Sequence, residues 1–157
     1  MFSRVPPLRV PKRAYRNEGE LRFKDVSREW GFDWMGVANG MALGDLDDDG
    51  DLDVVFNALN EGSILLRNNS EAPRIRVRLK GRPPNTHGVG ARIEWDGHGP
   101  RLRQQVVVGG RYLSSDDTTR VFAAGQGQGT LSIRWRSGRT TETNVTGQAS
   151  MVIEESK

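Results

Sequence analysis

Six aspartates lie within nine residues of this chain, from Asp45 to Asp53. Like charges at this density repel one another, so a chain that keeps them together needs a positive partner. The pattern Asp-x-Asp-x-Asp-Gly-x-x-Asp places carboxylates at alternate positions, which converge when the backbone curls, and a glycine where the turn is sharp. Oxygen ligands in this number suit Ca²⁺ better than Mg²⁺, which retains its own water. The sequence therefore predicts a calcium site whose ligands are the side chains of Asp45, Asp47, Asp49 and Asp53 and the carbonyl oxygen of Asp51.

This loop differs from an EF-hand. The twelfth position is Phe56 rather than the bidentate glutamate of an EF-hand, and the flanking segments are typical of strands rather than helices. We expect the side chains of Asp48 and Asp51 to point outward. An acidic turn that holds no ion remains an alternative at this point. If calcium binds, we expect it to join two strands rather than to catalyse a reaction, because no nucleophile or base accompanies the loop.

The two halves of the chain carry opposite charge. Residues 1–71 contain 9 basic and 13 acidic residues, whereas residues 72–147 contain 13 basic and 5 acidic residues. The segment RIRVRLKG alternates, with apolar residues on one face and basic residues on the other. This basic face is an alternative site for nucleic acid or another polyanion, formed by Arg74, Arg76, Arg78, Lys80 and Arg82. Because no aromatic side chain on it would stack on a base, a solvated face or a guard against edge pairing is the simpler interpretation.

We predict no catalytic residue. His87 and His98 lie in glycine-rich turns, and the hydroxyls of the segment 114–117 (Ser-Ser-Asp-Asp) have no histidine or lysine nearby in the sequence to activate them. Cysteine is absent, which excludes disulfides, thiol catalysis and cysteine-bound zinc. The sequence therefore favours a binding module over an enzyme.

Four tryptophans divide into two pairs. Trp95 and Trp135 lie within strand-like segments, so we expect them in the core. Trp30 and Trp34 lie in an irregular segment and are candidates for a platform that binds sugar. This platform would bind a glycan; the predicted ligand of the module as a whole is either a protein or a glycan.

Short strand-like segments separated by glycine-rich turns must position these residues. Segments such as ARIEW, TRVFAA and TLSIRW are bounded by turns such as DGHGP and GQGQG, and no long helical period is present. This spacing predicts an all-β fold, an antiparallel sandwich or barrel. Asn60-Glu61-Gly62 predicts a hairpin between two strands. No apolar run is long enough to span a membrane as a helix.

Two known families resemble parts of this chain. The stretch FKDVSREWGF…NGMALGDLDDDGDLDVVF…ILLRN is similar to one FG-GAP/VCBS repeat, a calcium-loop blade of integrin-like β-propellers. The segments RIRVRLKG, NTHGVGARIEW, VVVGGRYLSS and LSIRWRSGRTTE resemble the ASPIC/UnbV domain of cartilage-acidic-protein-like proteins. The chain departs from that second family at VFAAGQGQG and at Trp135-Arg136-Ser137-Gly138, where the family has other turn sequences.

These resemblances imply a domain organisation and a setting. The expected parts are a basic, proline-containing arm (1–17), a calcium-loop repeat (18–71) and an ASPIC/UnbV-like domain (72–157). One blade cannot close a propeller, so we expect the lone repeat to pack on the second domain. Homo-oligomers, and an accessory role in a larger enzyme, also remain open. The families imply extracellular or periplasmic residence, although residues 1–16 show no signal peptide, which leaves the cytoplasm open.

Overall fold

The computed structural model describes residues 8–125 and 127–156. Across these residues the fold is all-β without a helix, as the turn-bounded segments predict, and no helix that could cross a membrane is present there. Residues 1–7 of the predicted arm lie outside the described residues. The strands are β1 (Val10–Pro11), β2 (Tyr15–Asn17), β3 (Phe23–Asp25), β4 (Met35–Gly36), β5 (Ala38–Gly44), β6 (Asp53–Ala58), β7 (Ile64–Leu66), β8 (Arg74–Lys80), β9 (Arg92–Gly97), β10 (Leu102–Gln105), β11 (Gly110–Arg111), β12 (Ser114–Ser115), β13 (Arg120–Ala123), β14 (Gln128–Arg134), β15 (Thr140–Thr146) and β16 (Ala149–Glu154).

Two sheets form a sandwich in the C-terminal half. One has the order β10-β9-β14-β15 and the other the order β13-β8-β16. Alternate residues of β8 point inward, so that Ile75 and Val77 are fully buried. They join one apolar cluster with residues of the facing sheet, among them Ile93, Trp95 and Leu131. The predicted burial of Trp95 and of Trp135 is confirmed, since both are at most 3% exposed.

Most pairings are antiparallel, as predicted, but one is parallel. The last strand, β16, runs parallel to β8, with Ala149 opposite Ile75 and Glu154 opposite Lys80. The strand β15 belongs to the facing sheet, so the chain crosses from one layer to the other between β15 and β16. As a result β8 lies between β13 and β16 and is not an edge strand. Its basic residues therefore do not guard an edge.

The N-terminal half supplies a three-stranded sheet in the order β5-β6-β7. The predicted hairpin at Asn60-Glu61-Gly62 is confirmed, because it joins the antiparallel strands β6 and β7, and Asn60 adopts a left-handed backbone conformation. Two further strand pairs, β1 with β4 and β2 with β3, come before this sheet in the sequence. Within residues 10–17, two short strands pair antiparallel with strands in residues 23–36, and the division into arm, repeat and domain stays a prediction.

Candidate metal centre

The aspartate loop connects β5 to β6. Gly44 and Asp53 are the last paired residues of the two strands, so the strands hold both ends of the loop in register. Between them, Asp48 and Gly50 adopt left-handed backbone conformations, with φ of 63° and 94°. Aspartate tolerates this region better than most residues and glycine does so without strain, which explains why these two types occupy the turn. The local sequence therefore folds the loop back on itself, as the spacing predicts.

Three carboxylates converge inside the loop. One oxygen each from Asp45, Asp47 and Asp49 lies within 4.8 Å of the others. The side chain of Asp45 is fully buried; its Oδ2 accepts a hydrogen bond from the backbone N–H of Gly50 at 3.1 Å and forms an ion pair with Arg76, whose Nε lies 3.0 Å away. Its Oδ1 is also buried and has no hydrogen-bond partner in the described part of the chain. A buried carboxylate oxygen without a partner is costly, so the donor set fits a hard cation that would bind there.

Asp53 closes the loop through hydrogen bonds to the backbone. Its Oδ2 accepts the N–H of Leu46 at 3.0 Å, and its Oδ1 accepts the N–H of Asn68 at 2.9 Å. Asp53 is 2% exposed. It therefore ties the start of the loop and the chain after β7 to the base of β6, and its role as a metal ligand stays a prediction.

The expected outward orientation is confirmed for Asp48 and wrong for Asp51. The side chain of Asp48 is 82% exposed, whereas that of Asp51 is 3% exposed and forms an ion pair with Arg74. The arginine reaches Asp51 from β8 and is itself 10% exposed. Residue spacing within the loop did not indicate this partner, because it lies in another sheet. The predicted use of the Asp51 carbonyl as a ligand stays untested.

Three arginines relieve part of the repulsion among the six aspartates. Arg76 contacts Asp45 and also Asp48, whose Oδ1 lies 2.6 Å from Nη1 of the arginine. Arg67 Nη2 lies 2.6 Å from Asp47 Oδ2 and 3.8 Å from Asp49 Oδ2. With Arg74 on Asp51, the six negative charges are met by three positive ones, which leaves a formal charge of −3. A divalent cation would remove most of the remainder.

The predicted basic face of β8 is not a uniformly solvated surface. Arg74 and Arg76 point into the aspartate loop, so the expectation of a solvated face is wrong at these two positions. The physical reason is that the acidic loop of the N-terminal half covers this end of the strand. Arg78 and Arg82 are exposed, and Lys80 pairs with Glu154 at 2.7 Å. The arginines closest to the loop are therefore paired with carboxylates, and the polyanion-binding role of this face stays a prediction.

A second junction joins the two halves, and sequence reasoning missed it. The hydroxyl of Ser114 donates to the carbonyl of Met41 at 2.6 Å, and Asp116 Oδ1 accepts the N–H of Leu43 at 2.9 Å. The N–H of Asp117 in turn donates to the carbonyl of Leu43 at 2.9 Å. The segment 114–117 therefore binds the free edge of β5. The only sign in the sequence that this segment binds a strand edge is its polar character, which is equally typical of a turn.

Neighbouring arginines keep Asp116 ionised at this junction. Burial alone would raise the pKa of Asp116, but hydrogen bonds from Arg111 and from the N–H of Leu43 outweigh it and hold that pKa below its usual range. Burial lowers the pKa of Arg120, whereas the charges of Asp116 and Asp117 act in the opposite direction. Both signs of charge are thus maintained where β5 meets the C-terminal half.

A groove of about 790 Å³ lies beside the aspartate loop. Its walls include Trp30, Phe32, Arg67 and Asn68. Trp30 is 49% exposed, whereas Phe32 packs edge-on against Phe56 with ring centroids 5.7 Å apart. Of the two predicted platform residues, Trp30 therefore presents its ring to the groove. Trp34 is half-buried instead, with Lys12 Nζ 5.4 Å from the centroid of its ring.

Family comparison bears on the C-terminal half of the chain. Residues 81–157 match the family model described as ASPIC and UnbV. A search of curated proteins finds none that matches the chain. The family match does not reach residues 18–71, so the resemblance of that segment to an FG-GAP/VCBS repeat stays a prediction. Strand β8 ends just before the match begins, yet its pairing with β13 and β16 makes it part of the same sandwich. The C-terminal part of this chain, residues 81–157, is therefore an ASPIC/UnbV domain.

Proposed function

We propose that this chain is a non-enzymatic, calcium-stabilised β module that binds a protein or a glycan. The observation that carries the proposal is the buried Oδ1 of Asp45, which has no hydrogen-bond partner in the described residues. Its carboxylate is one of three that lie close enough together to hold a metal ion. In this proposal Asp45, Asp47 and Asp49 hold the ion by their side chains. Bound calcium supplies two positive charges and joins β5 to β6, and the paired strands orient the loop.

The charge balance of the loop supports an extracellular or periplasmic setting. Three arginines lie against the aspartates and reduce the field that would attract a cation. Affinity is tuned by the net charge of the ligands, and extracellular calcium modules have dissociation constants of about 10⁻⁴–10⁻³ M. A partly neutralised loop belongs at this weak end of the range. Such a loop would be loaded where calcium is abundant and empty where it is scarce.

Calcium should raise the melting temperature of the protein. At a concentration about a hundredfold above the dissociation constant the gain is about 2.7 kcal/mol, or roughly 5–10 °C for a chain of this size. The double substitution Asp47→Asn, Asp49→Asn should abolish this gain while leaving the melting temperature in chelator at least as high as that of the wild type, because it removes like charges. Thermal melts with calcium and with chelator, each with the oligomer mass recorded, provide the measurement.

The matched control for this melt is Asp33→Asn, which removes one exposed carboxylate outside the loop. We expect this variant to respond to calcium as the wild type does. A purely structural role for the aspartates predicts a different result, in which the double variant melts lower in chelator. If the wild type melts at the same temperature with and without calcium, the calcium proposal is contradicted.

The groove beside the loop is the proposed ligand-binding surface. An exposed tryptophan ring next to asparagine side chains is a combination that stacks on a sugar face and hydrogen-bonds its hydroxyls. A glycan array probed in the presence of calcium identifies the glycans that the wild type binds. Trp30→Ala should bind each of these glycans at least tenfold more weakly. Tyr112→Ala is the control, since Tyr112 is 73% exposed and does not line the groove. Equal loss in both variants would argue against the groove.

A further inference from the structure

Arg67 occupies the place where two of the proposed ligand carboxylates meet. Its Nη2 lies 2.6 Å from Asp47 Oδ2 and 3.8 Å from Asp49 Oδ2. Both aspartates belong to the group whose oxygens lie within 4.8 Å of one another. The guanidinium thus supplies positive charge to the same carboxylates that a cation would use.

The three arginines of the loop differ in how firmly they are held. The side chains of Arg74 and Arg76 are 10% and 22% exposed, and each contacts a carboxylate that is almost fully buried. The side chain of Arg67 is 60% exposed. Within residues 8–125 and 127–156 its contacts to Asp47 and Asp49 are the ion pairs that it makes, and it forms no further side-chain hydrogen bond there. Arg67 can therefore leave the loop at little cost, whereas the other two cannot.

We propose that Arg67 is the exchangeable counter-ion of the aspartate loop, which a divalent cation displaces from Asp47 and Asp49. This inference rests on the proposed calcium site. A cation at these oxygens repels the guanidinium, and an exposed ion pair is too weak to resist it. Arg76 stays in place when the ion binds. It pairs with Oδ2 of Asp45, so Oδ1 of the same carboxylate remains available to the ion.

Displacement has a consequence for the neighbouring groove. Arg67 lines that groove together with Trp30 and Asn68. A guanidinium released from the loop remains at the groove wall with its donors unpaired. Calcium binding would thereby add a site for a carboxylate or sulfate group beside the exposed tryptophan ring.

Calcium titration of Arg67 variants tests this exchange. We expect Arg67→Gln to bind calcium about three- to tenfold more tightly than the wild type by isothermal titration calorimetry, because the ion no longer displaces a positive charge. In chelator, Arg67→Gln should melt below the wild type, since Asp47 and Asp49 lose their counter-ion, whereas in saturating calcium the two should melt alike. Arg67→Lys keeps the charge and should titrate nearly as the wild type does.

The control is Arg22→Gln, which removes an exposed arginine paired with Glu20, away from the loop in sequence, and should leave the calcium affinity unchanged. Unchanged or weaker calcium binding by Arg67→Gln would overturn the exchange while leaving the calcium site standing. If the wild type itself takes up no calcium, the proposed function fails together with the exchange. The two failures are thus distinguished by the wild-type titration alone.

Discussion

Arg74→Met should destabilise the protein by about 3–5 kcal/mol, because it leaves the carboxylate of Asp51 buried without its charge partner. The side chain of Asp51 is 3% exposed, and neither of its oxygens has a hydrogen-bond partner among the described residues beyond the ion pair. Arg74 also donates to the carbonyl of Ala72 at 3.0 Å and so fixes the chain between the two halves. Urea denaturation followed by circular dichroism, with the midpoint and slope compared to the wild type, measures the loss.

Two further variants show that the loss comes from the buried charge. Arg78→Met lies on the same strand, removes an exposed arginine, and should change the stability by less than about 0.5 kcal/mol. Adding Asp51→Leu to Arg74→Met should recover part of the loss, since a buried ion pair replaced by apolar groups often costs little. A coupling energy near zero in this double-mutant cycle would contradict the role given to the pair.

The ion pair shows where prediction from the sequence ends. Strict alternation in RIRVRLKG predicted that Ile75, Val77 and Leu79 face the core, and their burial confirms it. The same alternation placed Arg74 and Arg76 on the opposite face correctly but gave no information on what covers that face. The aspartate loop that covers it lies at least 20 residues earlier in the chain, and local periodicity cannot detect such a contact.

Local patterns predicted local structure well. The hairpin at Asn60-Glu61-Gly62, the convergence of Asp45, Asp47 and Asp49, and the all-β class follow from turn chemistry and from residue spacing. The parallel pairing of β16 with β8 does not, because it joins segments about 70 residues apart whose sequences fit either direction. The docking of the segment 114–117 on β5 could not be predicted from the sequence either, because its serines and aspartates are also ordinary turn residues.

Gly129→Ala should cost about 3 kcal/mol, the upper part of the range for an overpacked core. Gly129 of β14 lies opposite Gly97 of β9. A Cβ at residue 129 would lie 2.7 Å from the Cα of Gly97 and 2.7 Å from Cη2 of Trp95, and it would also meet the backbone oxygen of Asp96. Because two of these atoms are backbone, the strands themselves must move apart. Gly62→Ala is the control, since a Cβ there meets nothing within 4 Å and its cost in urea denaturation should be small.

A Cβ at Gly97 meets a different obstacle, and this difference gives a sharper test of the same packing. The three nearest atoms all belong to the ring of Trp95, the closest being Cζ2 at 2.5 Å. Trp95→Phe shortens that ring, so it should recover part of the stability lost in Gly97→Ala and less of that lost in Gly129→Ala, where the backbone collision persists. The two glycines would then be required for different reasons. Gly97 leaves room for the indole of Trp95, and Gly129 allows β9 and β14 to approach each other. Equal recovery in both backgrounds would show instead that the indole alone sets the requirement for glycine at both positions.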